Sequence, residues 1–174
     1  QGSINDSFAD FGENKKNIHL ALGIIKGKRM DLAIEKSVEF GVKSIHPILF
    51  ERSIKKRLNI ERLNKIIISS AKQTGRSVFP EIKKITKFPD WIKKYKNDNS
   101  FACHSSGKFK IKNIVNSKTN DIMIIVGPEG DFSDSEIELL NVSKVPLVNL
   151  GPRRLRTESA CISSIIETSD AIER

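Results

Sequence analysis

The residue types best suited to chemistry are concentrated near the end of the chain. Residues 150–160 hold three arginines and a glutamate in the predicted turn between a strand and the last helix: Arg153, Arg154, Arg156 and Glu158. The planar guanidinium group donates hydrogen bonds to phosphate and can stack on a base. A glutamate in the first turn of a helix also interacts favourably with the helix dipole, so a structural role stays open for Glu158. Three arginines at one turn favour a nucleotide-binding role.

A second candidate site is the segment Gly127-Pro128-Glu129-Gly130, which follows the apolar residues 122–126. Two glycines around a proline allow the backbone to turn sharply and to approach a ligand without Cβ hindrance. Glu129 can accept hydrogen bonds from ligand hydroxyls or amines, or from amides of its own loop. Taken alone, this tetrapeptide is also typical of an ordinary turn.

Two other nucleotide-binding patterns are absent. The basic segment Gly23-Ile24-Ile25-Lys26-Gly27-Lys28-Arg29 has three residues between its glycines, and an arginine follows Lys28. A phosphate-binding P-loop needs four residues there and a Ser or Thr after the lysine, which argues against a nucleoside triphosphatase. This turn can contact RNA phosphate or can simply be solvated. No GxGxxG follows a strand, which argues against a dinucleotide cofactor.

The elements that must position these residues alternate between strands and helices. Apolar runs predict strands at residues 18–25, 44–49, 100–103, 122–126 and 146–150. Helical spacing predicts helices at about 30–38, 60–74, within 88–99, after the capping box Ser133–Glu136, and from Thr157 onward. This order predicts an α/β fold with a mostly parallel sheet covered on both faces. Ligands bind such sheets at loops leaving the carboxyl ends of strands, here residues 103–107, 127–131 and 150–158.

Composition limits the possible partners without identifying one. The chain has 174 residues and 19.6 kDa, enough for one α/β domain. Thirty Lys and Arg against 21 Asp and Glu give a net charge of +9, which favours binding of a polyanion such as RNA. The abundance of Lys, Asn and Ile is also typical of a Lys-rich proteome. The aromatic residues show no basic interleaving of the kind that stacks single-stranded nucleic acid.

Neither a metal site nor a membrane segment is predicted. Cys103 and Cys161 lack CxxC spacing, and the three histidines are scattered. We therefore expect reduced thiols, no metal and a cytoplasmic protein. No apolar run approaches the roughly 20 residues of a membrane span, and no signal-peptide pattern is present. Residues 1–17 are predicted to be a protease-site remnant, Gln1-Gly2-Ser3, followed by a linker, and residues 18–174 to be the domain itself.

Several motifs together resemble one known family. The order of these motifs is similar to that of the 16S ribosomal RNA uridine-N3 methyltransferases (RsmE type) of the SPOUT superfamily. The segments that carry the resemblance include Lys28-Arg29-Met30-Asp31, Ser69-Ser70-Ala71-Lys72-Gln73-Thr74-Gly75-Arg76, Ile125-Val126-Gly127-Pro128-Glu129-Gly130 and Leu150-Gly151-Pro152-Arg153-Arg154-Leu155-Arg156-Thr157-Glu158-Ser159-Ala160. The resemblance runs from about Ile18 to the end of the chain. Two positions depart from it: Asp131 stands where a second glycine is usual, and Ser159 where threonine is usual.

The resemblance implies a SPOUT-type α/β domain with a C-terminal trefoil knot that buries S-adenosylmethionine. It implies a homodimer that acts on the 16S rRNA of the small ribosomal subunit. The family's N-terminal PUA-like barrel has no counterpart in this sequence. We expect such a fragment to bind cofactor but to capture RNA poorly.

The resemblance also implies which residues form the site. Arg156 and Arg153 are expected to stabilise the uridine anion and hold phosphate. Glu129 and Glu158 are weaker candidates for base or for orienting the cofactor, and the sequence does not separate these roles. Residues expected to bind the cofactor are His104, Ser105, Gly127, Pro128, Glu129, Gly130, Leu150, Gly151, Leu155, Arg156, Glu158, Ser159 and Ala160.

Two other functions stay open from the sequence. One is a non-catalytic RNA-binding or ribosome-assembly module, which predicts no cofactor binding. The other is a related SPOUT enzyme that acts on a different RNA, such as a tRNA.

Overall fold

The computed structural model describes residues 3–4, 6–7, 10–115 and 119–173. Gln1 and Gly2 of the predicted protease-site remnant lie outside the described residues. The strands are β1 (Asn17–Gly23), β2 (Val42–Leu49), β3 (Glu81–Ile82), β4 (Thr86–Lys87), β5 (Ser100–Cys103), β6 (Asp121–Val126) and β7 (Leu147–Val148). The α-helices are α1 (Gly27–Glu39), α2 (Ile60–Gln73), α3 (Phe88–Tyr95), α4 (Asp134–Val142) and α5 (Thr157–Glu173), with a 3₁₀ helix at Ile111–Asn113. None of these helices is long and apolar enough to cross a membrane.

All strand pairs of the sheet are parallel, as the alternation of strands and helices predicts. The order is β3-β2-β1-β6-β5-β7, with β4 also paired to β2. Because β6, β5 and β7 are neighbours, their carboxyl ends meet at one edge of the sheet. The three loops singled out in the sequence therefore leave the sheet side by side.

Side chains of the central strands alternate between two apolar layers. On one face, Ile122, Ile124 and Val126 of β6 pack with α1, α2 and α5. On the other face, Met123 and Ile125 pack with α3 and α4. This period of two is the pattern of a strand buried on both faces, and it confirms the interpretation of residues 122–126.

Two helix ends show the local geometry that stabilises them, and the one at Ser133–Glu136 was predicted. Gly41 follows α1 with a φ of 82°, the left-handed conformation that a helix C-terminus commonly needs. Ser133 and Glu136 form both hydrogen bonds of the capping box at the start of α4.

Some short elements differ from the expectations. The predicted strand at 146–150 is only Leu147–Val148, because residues 149 and 150 turn away to line a cavity. The two-residue strands β3 and β4 were not predicted. Within the predicted linker, Glu13 pairs with the buried Arg76, so this part is held against the domain.

Candidate functional site

A cavity of about 310 Å³ lies at the carboxyl ends of β5, β6 and β7. Its walls come from the three predicted loops and from the first turns of α1 and α5. This volume lies at the lower end of the range for small-molecule sites, which are about 300–1,000 Å³. Both polar and apolar side chains line it, as a ligand with an apolar part and several polar groups requires.

Most of the residues expected to form the site line this cavity. They are His104, Ser105, Gly127, Pro128, Glu129, Leu150, Gly151, Arg153, Leu155, Arg156 and Ala160. These positions come from three loops, with nearly twenty residues of chain between one loop and the next. The fold therefore places residues from three separate sequence motifs around one cavity.

Three expected residues do not line the cavity. Gly130 lies against Arg52, and a Cβ at Gly130 would come within 2.8 Å of the Arg52 Cβ. Glu158 is buried in the first turn of α5, and its Oε2 has no hydrogen-bond partner among the described residues. Ser159 is exposed. Their contribution to cofactor binding stays a prediction.

Seven further lining residues were not among those expected to form the site. Cys103, Asp131, Arg154 and Thr157 lie in the predicted loops, whereas Arg29, Val126 and Asn149 lie outside them. Arg29 lies in the first turn of α1, just after the carboxyl end of β1, which is the neighbour of β6 in the sheet. Arg29 could have been assigned to the cavity only if β1 had been known to lie beside β6, and the spacing of residues in the sequence does not give that strand order.

Glu129 is the buried acid of the cavity. Its Oε1 lies 2.9 Å from Arg29 Nη2, and the Glu129 side chain is 16% exposed. The contact with Arg29 is an ion pair only, and neither carboxylate oxygen has a hydrogen-bond partner among the described residues. Buried carboxylate oxygens without donors are costly unless a ligand supplies the donors. Glu129 is thus a ready acceptor for ligand hydroxyl or amine groups.

His104 and Asp131 contact each other in the cavity wall. The Ser106 backbone N–H donates to His104 Nδ1 at 3.3 Å, and His104 Nε2 lies 3.5 Å from Asp131 Oδ2. With Nδ1 accepting, the ring proton is on Nε2 and points toward the carboxylate. The geometry therefore suits His104 to hold Asp131 and leaves it no free lone pair for proton abstraction.

The backbone conformation of Asp131 explains why glycine is usual at this position in the family that the sequence resembles. Its φ is 63°, in the left-handed region that glycine adopts without strain. Aspartate tolerates that region better than most residues. Here its Oδ1 also accepts a hydrogen bond from the Phe132 N–H at 2.9 Å. The departure from the family pattern therefore keeps the turn and adds a negative charge to the cavity wall.

The arginines of residues 153–156 surround the entrance of the cavity. Arg153, Arg154 and Arg156 are all exposed, and none of their guanidinium groups has a hydrogen bond or ion pair with another described residue. Arg156 immediately precedes α5, and its carbonyl accepts the Ala160 N–H at 2.8 Å. The backbone is thereby fixed while the guanidinium groups stay available to an anionic ligand.

Two glycines allow the loops to pack closely enough to form this cavity. A Cβ at Gly23, the last residue of β1, would lie 2.5 Å from the Pro128 nitrogen. A Cβ at Gly107 would lie 2.4 Å from the Val148 carbonyl carbon. Since both neighbours are backbone atoms, no side-chain movement could relieve such contacts.

The two cysteines supply no reactive thiolate. Burial raises the pKa of the Cys103 thiol and that of the Cys161 thiol to about 12. Cys103 forms part of the cavity wall as a neutral, weakly polar group. Among the described residues, no group of three or more His, Cys, Asp or Glu is arranged to hold a metal ion.

Comparison with known proteins adds a family to this geometry. A model of the RNA methyltransferase domain matches residues 12–168. The ribosomal RNA small subunit methyltransferase E of Rickettsia conorii is 36% identical over 156 residues, covering 88% of this chain and 64% of that protein. The chain therefore spans slightly less than two thirds of that relative's length.

Two solved structures are similar over most of the chain. A ribosomal RNA small subunit methyltransferase E from Neisseria gonorrhoeae, bound to S-adenosyl methionine, has 30% identity and a TM-score of 0.84, covering 91% of this chain and 67% of that one. A methyltransferase from Legionella pneumophila, in complex with its cofactor SAM, has 32% identity and a TM-score of 0.85, covering 91% and 68%.

Proposed function

Because this chain belongs to the RNA methyltransferase domain family, we propose that it transfers a methyl group from S-adenosylmethionine to N3 of a specific uridine in 16S rRNA of the small ribosomal subunit. The cavity at the ends of β5, β6 and β7, with three unpaired arginines at its entrance, is the observation that carries the proposal. The relative named for small-subunit rRNA and the similar structure with bound S-adenosyl methionine support it.

The residues present fit that cofactor. The Glu129 carboxylate, buried without a hydrogen-bond partner, matches the hydroxyl or amine groups of an adenosyl ligand. Leu150, Leu155 and Ala160 supply apolar wall, and the segments 127–128 and 150–151 supply backbone groups. When bound, the cofactor supplies an electrophilic methyl group.

The arginines are proposed to act on the nucleotide. Uridine N3 carries a proton that passes to solvent water, and the negative charge that this loss leaves on the base is stabilised by a nearby guanidinium. Arg153 and Arg156 are assigned to this charge and to the adjacent phosphate. Positioning N3 in line with the methyl carbon is the remaining task, and it requires the base to be unstacked from its neighbours.

Glu129 has two possible roles, and the geometry favours one. A general base must leave its ion pair to accept a proton, whereas an acceptor for the cofactor can keep it. Arg29 Nη2 lies 2.9 Å from Glu129 Oε1, so an arriving ligand hydroxyl or amine meets a carboxylate that already has a fixed cationic neighbour. We therefore assign Glu129 to orienting the cofactor.

A methylation assay with separate cofactor titration tests these roles. Small subunits from a strain that lacks the gene are the substrate, and mass mapping locates the product. Arg156→Ala should lower kcat by about a hundredfold or more, with a smaller rise in the S-adenosylmethionine Kd because Arg156 also lines the cavity. Glu129→Gln should instead raise that Kd, whereas a loss confined to kcat would assign Glu129 as the base.

The control is Arg57→Ala. Arg57 is exposed on the loop before α2 and does not line the cavity, so this substitution removes one positive charge away from the site. Wild-type methylation by the Arg156→Ala protein would contradict the assignment of Arg156. Failure of the wild-type chain to bind S-adenosylmethionine would contradict the enzyme function and favour a non-catalytic RNA-binding module. Product in tRNA rather than 16S rRNA would contradict the substrate.

The trefoil knot and the homodimer are part of the same proposal. The knot is proposed from the family resemblance, and the segment 105–113 lies against α5 and against Asn149, the residue that follows β7. The Asn149 side chain donates to the Ser105 carbonyl at 2.7 Å, and the Lys110 Nζ donates to the Asn149 carbonyl at 3.0 Å. Light scattering measures the molar mass of the protein in solution, and a value of one chain would contradict the homodimer. An enzyme with this substrate would act in the cytoplasm.

A further inference from the structure

A groove of about 320 Å³ adjoins the cavity. Asn149 and Gly151 line both the cavity and the groove. The other walls of the groove include Lys108, Phe109 and Lys110, and no acidic residue lines it among those that the structure describes. The groove is therefore cationic, partly aromatic and continuous with the proposed methylation site.

Phe109 is unusual because its ring is exposed although its backbone is fixed. The side chain is 50% exposed. The Phe109 N–H donates to the Leu147 carbonyl at 3.4 Å, and the Asn149 N–H donates to the Phe109 carbonyl at 3.1 Å. A phenyl ring presented to solvent by an ordered backbone loses little conformational freedom when it contacts a ligand.

The flanking cations have different roles. Lys110 donates from Nζ to the Asn149 carbonyl, which joins the two segments that form the groove. Lys108 is exposed and has no hydrogen bond or ion pair with another described residue. The sequence Lys108-Phe109-Lys110 thus places an exposed aromatic ring between two cations, contrary to the expectation that the aromatic residues show no basic interleaving. Four of the other phenylalanines, Phe50, Phe88, Phe101 and Phe132, are buried in the core.

We propose that this groove binds a nucleotide next to the methylated one, with its base stacked on Phe109 and its phosphate on Lys108. The inference rests on the proposed RNA methyltransferase function. A single-stranded RNA segment fits better than an acidic peptide, because the exposed aromatic face offers stacking that any base can use. The adjacent unpaired Arg153 and Arg154 continue the cationic track along the backbone.

Fluorescence anisotropy with a labelled oligouridylate of about ten nucleotides tests the stacking. Phe109→Ala should weaken binding roughly tenfold to hundredfold, and Phe109→Trp should retain or strengthen it. Phe79→Ala is the matched control, because Phe79 is also 50% exposed but does not line the groove. It should bind as the wild type does.

The salt dependence of binding tests the phosphate contact. Lys108→Ala should reduce the slope of log K against log salt by about 0.7, the value for one phosphate of a single strand. Unchanged binding by Phe109→Ala, equal losses in Phe109→Ala and Phe109→Trp, or a wild-type slope in Lys108→Ala would overturn the proposal.

Calorimetric titration with S-adenosylmethionine separates this groove from the proposed function. The Phe109→Ala and Lys108→Ala proteins should bind the cofactor with wild-type affinity. A wild-type chain that binds cofactor but no oligouridylate overturns the groove and leaves the methyltransferase function standing. A chain that binds neither overturns both.

Discussion

A chain of polar side chains crosses the sheet from Asp121 to Trp91. The Trp91 Nε1–H can only donate, so His46 Nδ1, 3.1 Å away, must accept. Neutral His46 then carries its proton on Nε2 and donates to the Ser44 hydroxyl at 2.9 Å. That hydroxyl donates to His19 Nδ1 at 2.7 Å, and His19 Nε2 donates to Asp121 Oδ1 at 3.0 Å. Asp, His and Ser are also the residue types of a hydrolase site, but Ser44 is only 5% exposed and is not accessible to a substrate. The hydrogen-bonded chain is therefore structural, and it links β1, β2, β6 and α3.

The direction of these hydrogen bonds predicts acid sensitivity. Burial, with His19 and Lys83 nearby, lowers the pKa of His46 from 6.5 to about 4. The unfolded chain therefore takes up a proton at a higher pH than the folded protein does. Stability should fall as the pH drops from about 6.5 toward 4, by roughly 2 kcal/mol at pH 5 and about 3 kcal/mol at pH 4 from this residue. Urea unfolding at pH 7, 5 and 4 measures the loss.

The His46→Asn protein is the control for this prediction, since asparagine does not titrate. It should be less stable than the wild type at pH 7, but its stability should fall less between pH 7 and 4. Parallel curves for the two proteins would contradict a role for His46.

At the scale of elements, the cavity depends on how closely the loop after β5 approaches β7. Gly107 permits this contact, because a Cβ there would lie 2.4 Å from the Val148 carbonyl carbon and 2.6 Å from the Asn149 nitrogen. Both segments continue into the cavity wall. The glycine is therefore required by the distance between two backbone segments.

Substituting Gly107 should damage both stability and ligand binding. Gly107→Ala is expected to cost about 2–3 kcal/mol in unfolding free energy, because one backbone segment must move. The same movement opens the cavity wall, so the S-adenosylmethionine Kd should rise roughly tenfold or more. Urea unfolding and calorimetry on the same protein measure the two effects.

Gly75→Ala is the control for Gly107→Ala, because it introduces backbone strain without a steric clash near the cavity. Gly75 has a φ of 67°, and nothing lies within 4 Å of the position that a Cβ would occupy. Its substitution should cost about 1 kcal/mol through backbone strain alone and leave cofactor affinity unchanged. Equal cofactor affinity in the Gly107→Ala and Gly75→Ala proteins would disprove the assigned role of Gly107.

The sequence predicted the longer elements because their signals are local. Residues 122–126 are apolar throughout, and the Ser133–Glu136 pair is a complete capping box, so β6 and α4 were predictable. Strands β3 and β4 have two residues each and carry no periodic pattern. Arg29 was missed as a cavity residue because its place depends on β1 lying beside β6, a non-local pairing.

At the scale of the whole molecule, one buried arginine joins segments that are distant in the chain. The Arg76 side chain is 2% exposed and forms an ion pair with Glu13. Its Nη1 donates to the carbonyls of Val38 at 3.0 Å and Val42 at 2.9 Å. Glu13 Oε1 also accepts the Val78 N–H at 3.0 Å. These contacts hold the segment before β1 against the end of α1, the start of β2 and the loop after α2.

Removal of the Glu13 charge should therefore destabilise the entire domain. In the Glu13→Gln protein the buried Arg76 keeps its two carbonyl acceptors but loses the charge that compensates it. Breaking one side of a buried pair costs about 3–5 kcal/mol, and the remaining carbonyl bonds reduce the expected loss to roughly 2–4 kcal/mol.

The Glu81–Lys83 pair is the matched control, because the Glu81 side chain is 65% exposed. Its Glu81→Gln variant should change stability by less than about 0.5 kcal/mol. Urea midpoints measured at pH 7 give both values, and equal shifts for the two variants would mean that Glu13 does not anchor the fold through Arg76.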